Sequence, residues 1–170
     1  SGIAVAIEPS DWQEFESAGP FAALELQRSL EQKAFELSGR TFKAPAQKMT
    51  DFVKGRLSSS LPQSSYNPGL VSSPLHEALP RFISERLKMA FYDFDKKMKG
   101  FLTEDAVLTG FESRTSSPVR IPRHDDTLCH PQADGLYPCG EGAGYAGGIV
   151  SSAMDGQRCA MAVVKRYKPD

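Results

Sequence analysis

Between Gly135 and Ala160 the chain reads GLYPCGEGAGYAGGIVSSAMDGQRCA, and few local structures accommodate such a passage. Glycines at 140, 142, 144, 147 and 148 surround a single acid, Glu141. Ahead of them, Leu136-Tyr137-Pro138-Cys139 has the length and apolar character of a buried strand. Behind them, apolar residues at 149, 150, 153, 154, 160, 161, 163 and 164 repeat with helical spacing and form one broad face. Strand, glycine turn and helix together bring bare backbone close to a guest and aim a helix N-terminus at it. A phosphate-bearing cofactor suits that arrangement. Close helix–sheet packing is the plainer reading of such glycines, yet their density around one carboxylate exceeds what packing requires. Gly142, Gly144 and Gly147 also meet the spacing of a dinucleotide fingerprint. That fingerprint needs a βαβ unit with an acid about 20 residues further on, and no second strand follows the helix before Asp170.

On these residues, the passage GLYPCGEGAGYAGGI resembles the closing flavin motif of flavoproteins with two dinucleotide-binding domains. It is most similar to a group of bacterial, largely uncharacterised FAD-dependent dehydrogenases. AVAIEP near the start, FELSGRTFKAPAQ and AVLTGFESRTSSPVRIPR extend the resemblance over most of the chain. It implies that Glu141 hydrogen-bonds a ribityl hydroxyl of FAD. It further implies that backbone at Gly140, Gly142 and Gly144 passes near the flavin and pyrophosphate, with Gly147, Gly148 and Ile149 near the ring. The N-terminal GxGxxG that holds the ADP half of FAD in that family is missing here, so the chain by itself is not expected to bind FAD tightly. The opening Ser1-Gly2-Ile3-Ala4-Val5-Ala6-Ile7, without an initiator Met, is read as the interior of a larger protein.

The expected fold is α+β. A mostly helical insertion over residues 9–105 is flanked by a strand at 1–8 and by residues 106–170, a C-terminal part of a Rossmann-like FAD-binding domain whose N-terminal part is missing. Ile3, Val5 and Ile7 alternate with small residues as in a strand touching a sheet on both faces, and Pro9 ends it. Trp12 is expected to anchor a core from a short helical link. Pro20 opens a helix bearing Ala23, Leu26, Leu30, Ala34 and Leu37 on one stripe, and Gly39 stops it. Pro45 is placed at the start of a second, shorter helix with Met49 and Val53 inward, ended by Gly55. The Ser/Pro-rich passage 56–74 reads as a long loop, a surface loop or a lid. Ser73-Pro74 reads as a cap and first-turn proline, and Pro80 opens a longer helix. Asp95 to Gly100 invites comparison with a calcium loop, but Lys97, Lys99 and Ala106 occupy ligand positions.

Strands are expected around Val107–Phe111 and Val119–Ile121, bracketing a polar turn. Within it Arg114, Thr115 and Ser116 are candidates for a substrate or phosphate oxyanion, with Tyr145 of the glycine turn as a fourth. An equally good reading is a capped turn whose arginine pairs with a nearby carboxylate. His124, Cys129, His130 and Cys139 fit no usual zinc spacing, so no metal is expected. Cys139 has no CxxC partner and reads as a buried small hydrophobe. No nucleophile motif marks a catalytic residue, and catalytic residues are left unassigned.

A formal net charge of −1 with scattered Lys and Arg argues against a nucleic-acid surface. No apolar run reaches membrane-spanning length. Three cysteines without framework spacing suit a reducing, cytoplasmic setting. The resulting reading is the C-terminal part of an FAD-dependent oxidoreductase acting on an unknown small molecule. The alternative is a non-catalytic helical binding or scaffolding module with a structural glycine turn.

Overall fold

The computed structural model describes residues 2–168. A 3-10 helix over Pro9–Phe21 leads into helix α1, Ala22–Leu37. Strand β1 (Ala44–Lys48) runs directly into helix α2 (Met49–Lys54). Strand β2 (Leu70–Ser72), helix α3 (Leu75–Ala78), helix α4 (Arg81–Lys97) and strand β3 (Val107–Thr109) follow, and helix α5 (Ile149–Tyr167) comes last. The chain divides into two compact units. Of the described residues, one comprises 2–13 and 27–113, the other 14–26 and 114–168.

The first unit is built on a three-stranded sheet in the order β2-β1-β3, with β1 parallel to β2 and antiparallel to β3. Pro45 lies in the central strand and does not begin a helix as the sequence suggests. The β1–β3 ladder ends at Ala46 opposite Thr109. One position further, Gly110 donates its N–H to the Pro45 carbonyl at 3.1 Å, and the return bond is the one that proline, without an N–H, cannot make, so the ladder stops there. The short helix expected after it is α2, and Gly55 closes it in the left-handed conformation (φ 67°), donating its N–H to the α2 carbonyls as a glycine terminator should. The expected loop 56–74 contains β2, which its polar composition hides.

Met49, Phe52, Leu75 and Phe91 form the core of this unit, with Val53, Leu87, Phe94 and Leu108 packed against them. Phe52 meets Phe91 edge-on at 5.9 Å, a geometry that aromatic quadrupoles favour. A buried polar network runs beneath this core. Gln47, fully buried, donates to the Arg56 carbonyl at 2.7 Å and accepts the His76 N–H at 3.2 Å. Those two bonds orient the amide, so its NH₂ also faces His76 Nδ1 at 2.8 Å and the imidazole must accept there. Asp51 takes hydrogen bonds from Arg56 and Ser58, and these hold its carboxyl below the usual carboxylate range against the opposing effect of burial. Ser73 does not cap α3; its hydroxyl donates to the Val71 carbonyl instead. Asp95 closes the turn after α4 by accepting the Gly100 and Leu102 N–H groups, each at 3.0 Å.

Three expected strands are absent among the described residues. Residues 2–8 carry no strand pairing, and most of them line a pocket with Arg86, Leu87, Ala90 and Phe94 of α4. Ser1, the first residue of that expected strand, lies outside the described residues. The segments around Val119–Ile121 and Leu136–Cys139 likewise carry no ladder, because no neighbouring strand offers a row of donors and acceptors. The α+β class holds, with its small mixed sheet in the first unit.

Candidate functional site

The second unit is organised by one ion pair. Arg123 and Asp155, each less than a tenth exposed, meet at 2.7 Å in a fork of two bonds, with Arg123 Nη1 at 2.9 Å from the second carboxylate oxygen. Burying two charges is tolerable when further hydrogen bonds support them, and each has one here. Arg123 also donates to the Pro138 carbonyl at 2.8 Å, and Asp155 also accepts the Gly140 N–H at 2.9 Å. One side chain from the segment before the glycine turn and one from α5 therefore hold the first residues of the turn between them. The hydrogen bonds from Arg123, joined by that from Gly140, overcome burial and hold the Asp155 carboxyl at about 2. The Arg123 guanidinium is correspondingly raised, first by its bond to Asp155.

Within the turn, Gly140 (φ 69°) and Gly144 (φ 81°) adopt left-handed backbone that glycine alone enters freely. Gly144 has a second reason. A Cβ there would lie 2.7 Å from the Val119 carbonyl oxygen and 3.1 Å from Arg120 Cα. The turn closes through Gly144 N–H to the Glu141 carbonyl and Tyr145 N–H to the Gly140 carbonyl, and the Ile121 N–H donates to Ala143 across the segment 117–123. Tyr145 is spent on this framework. Its ring lies under the Arg123 and Arg120 guanidinium groups at 3.6 and 4.2 Å, and its hydroxyl donates to the Ile121 carbonyl. Arg114, Thr115 and Ser116 stand exposed on the chain leading into this segment, and the Ser117 hydroxyl reaches Gly142 O at 3.4 Å.

Other glycines of the turn behave differently. At Gly142 and Gly147 an added Cβ would meet nothing within 4 Å, and neither residue has positive φ. Glu141 is exposed, and none of the described residues offers its carboxylate a hydrogen bond or ion pair. Gly148 precedes α5 and donates its N–H to Ser151 Oγ at 3.1 Å. Next to Gly140, the buried hydroxyl of Ser152 on the first turn of α5 has no partner among the described residues. Ile149 is 92% and Val150 71% exposed, leaving the apolar start of α5 open.

Sequence reasoning missed Arg123 and Asp155 because their pairing spans 32 positions with no motif. It also misplaced Cys139, which is exposed, whereas Cys129 and Cys159 are buried. His130 serves its own turn, its Nδ1 accepting the Gln132 and Ala133 N–H groups, each at 3.1 Å. No cluster of His, Cys, Asp and Glu able to hold a metal ion occurs among the described residues. No described helix is long and apolar enough to cross a membrane.

The first unit thus carries a small mixed sheet, and the second a glycine turn held to helix α5 through Asp155. The chain belongs to the family described as FAD-dependent protein, C-terminal domain-like, which matches residues 1–115. An uncharacterized protein of Clostridium beijerinckii is similar to it, 43% identical over 169 residues that make up 98% of this chain and 31% of that protein. The chain thus spans less than a third of the length of that relative. The glycine turn lies beyond the residues the family matches and within the length the relative shares.

Proposed function

We propose that this chain is the C-terminal part of an FAD-dependent oxidoreductase. In this reading its glycine turn contributes flavin contacts, and residues 9–105 form a cap that covers the substrate, a small molecule. Membership of an FAD-dependent family supports the cofactor. The observation that carries the site is the glycine at 142 and at 147, which neither backbone conformation nor packing within the chain requires. Glycine at such positions suits the close approach of a ligand to backbone. The unpartnered Ser152 hydroxyl and the unengaged Glu141 carboxylate give the same place polar groups with capacity to spare, so the residues present fit the group.

Glu141 would hold a ribityl hydroxyl. Gly140, Gly142 and Gly144 would lie along the flavin and pyrophosphate, with Gly147, Gly148 and Ile149 beside the ring. The flavin, when bound, supplies the electron and hydride transfer, and the protein supplies orientation and electrostatics. The start of α5 offers partial positive charge to an anionic reduced ring. Arg114, Thr115 and Ser116 remain the candidates for a substrate oxyanion, and a cytoplasmic setting is part of the same reading.

The test uses the intact protein. Gly142→Val and Gly147→Val should fold like the parent by circular dichroism yet lose the flavin absorbance bands on purification. Glu141→Gln should weaken FAD binding by about 10-fold or more, as expected for a hydrogen bond to a charged group. Full flavin occupancy in both valine variants would overturn this assignment of the turn.

A further inference from the structure

Cys139 and Cys159 stand 20 positions apart in a chain with no CxxC, yet the fold sets them side by side. The Gly140 N–H is bonded to Asp155 on α5, and Cys159 lies one helical turn beyond Asp155 on the same face. The Pro138 carbonyl is 3.9 Å from Cys159 Sγ. The residue between Pro138 and Gly140 is Cys139, so both of its chain neighbours are held against the face of α5 that carries Cys159. Cys139 is exposed and Cys159 buried. Arg123 Nη1 stands 3.3 Å from Cys159 Sγ.

From this juxtaposition we infer that Cys139 and Cys159 form a peroxide-oxidisable dithiol that closes to a disulfide across the glycine turn and α5. The inference does not depend on the flavin reading. The division of labour follows from exposure. Cys139 meets the oxidant first. Its sulfur attacks one oxygen of hydrogen peroxide, the O–O bond breaks, water leaves and Cys139 carries a sulfenic acid. Cys159 sulfur then displaces that hydroxyl, which departs with the Cys159 thiol proton as a second water, and the S–S bond forms. The thiols together lose two electrons and two protons, and peroxide is reduced to water.

Burial keeps Cys159 protonated at rest, raising its pKa against the pull of Arg123. The same guanidinium favours the thiolate at the moment Cys159 attacks. In a reducing compartment the pair would rest as thiols, and oxidation would be a transient, reversible state. Cys129 provides an internal control. It is buried, with the Ala133 carbonyl at 3.9 Å and Arg166 at 3.5 Å as its sulfur's neighbours.

The experiment treats the intact protein with hydrogen peroxide, blocks the remaining thiols and maps the peptides without reduction. Trypsin cuts after Arg123, Arg158 and Lys165, so Cys139 and Cys159 fall on different peptides. The expected result is a cross-linked pair 124–158 and 159–165 in which fragmentation places the blocking group on Cys129 and the link on Cys139, with the link reversed by dithiothreitol. Cys139→Ser should leave Cys159 as a free thiol under the same treatment. Cys159→Ala should drive Cys139 on to the sulfinic acid. Failure of the parent protein to form the link overturns the inference whatever the variants do. So does a link that uses Cys129 or joins two chains.

Discussion

At the scale of single residues the second unit turns on Arg123 and Asp155. Removing one member of a buried, bidentate pair leaves the other charge without compensation and costs about 3–5 kcal/mol. Asp155→Ala should therefore lower stability by that order in urea unfolding. The double replacement Arg123→Met with Asp155→Leu should recover most of the loss, because it strands no charge. Glycine positions sort in the same way. Gly144→Ala forces a Cβ against the Val119 carbonyl from a left-handed backbone and should destabilise by more than about 1 kcal/mol. Gly142→Ala meets open space and should stay within about 0.5 kcal/mol of the parent. Equal losses in thermal melts would remove the distinction on which the site assignment rests.

At the scale of elements, α5 is the clearest case of a helix whose pattern shows in the sequence but whose surroundings do not. Its apolar spacing predicts the helix from residue 149, and the helix begins at Ile149. What the periodicity leaves open is which apolar positions stay covered. Cys159 is buried, whereas Ile149, Val150, Met154, Met161 and Val164 are exposed. Gly156 stands inside the helix, and a Cβ there would meet nothing within 4 Å. Gly156→Ala should thus stabilise by about 0.5–1 kcal/mol through helix propensity alone, read as a higher midpoint in urea. β1 is the opposite case. Ala44-Pro45-Ala46-Gln47-Lys48 has neither alternation nor β-branched residues, and its strand exists because β2 and β3 supply partners on either side.

At the scale of the whole molecule, acid should be the condition that most directly tests its electrostatics. Asp11, Asp51 and Asp155 all have carboxyls held below their ordinary values, chiefly by hydrogen bonds from Arg86, Arg56 and Arg123 respectively. A depressed pKa in the fold adds stability above the unfolded value and loses it as pH falls toward the folded one. For Asp155 that loss runs from about pH 4 down to about pH 2 and is on the order of 1–2 kcal/mol once solvent screening is allowed for. Thermal melts should show the midpoint flat from neutral pH to about 5 and falling below it. In Asp155→Asn the part of that fall due to Asp155 should be missing.

By itself the sequence determined the features governed by near neighbours. α1 and α5 follow from apolar spacing, the stops at Gly39 and Gly55 from left-handed glycine, the entry to α4 from Pro80, and the glycine turn from its own composition. Each depends on residues a few positions apart, where backbone sterics and helical periodicity act directly. Only the tertiary structure decided the rest. It placed Pro45 in a central strand, made β2 from a polar passage, left residues 2–8 unpaired, and brought Arg123 to Asp155 and Cys139 to Cys159. Those outcomes depend on groups many positions away, and a strand or an ion pair has no stability until its distant partner is in place.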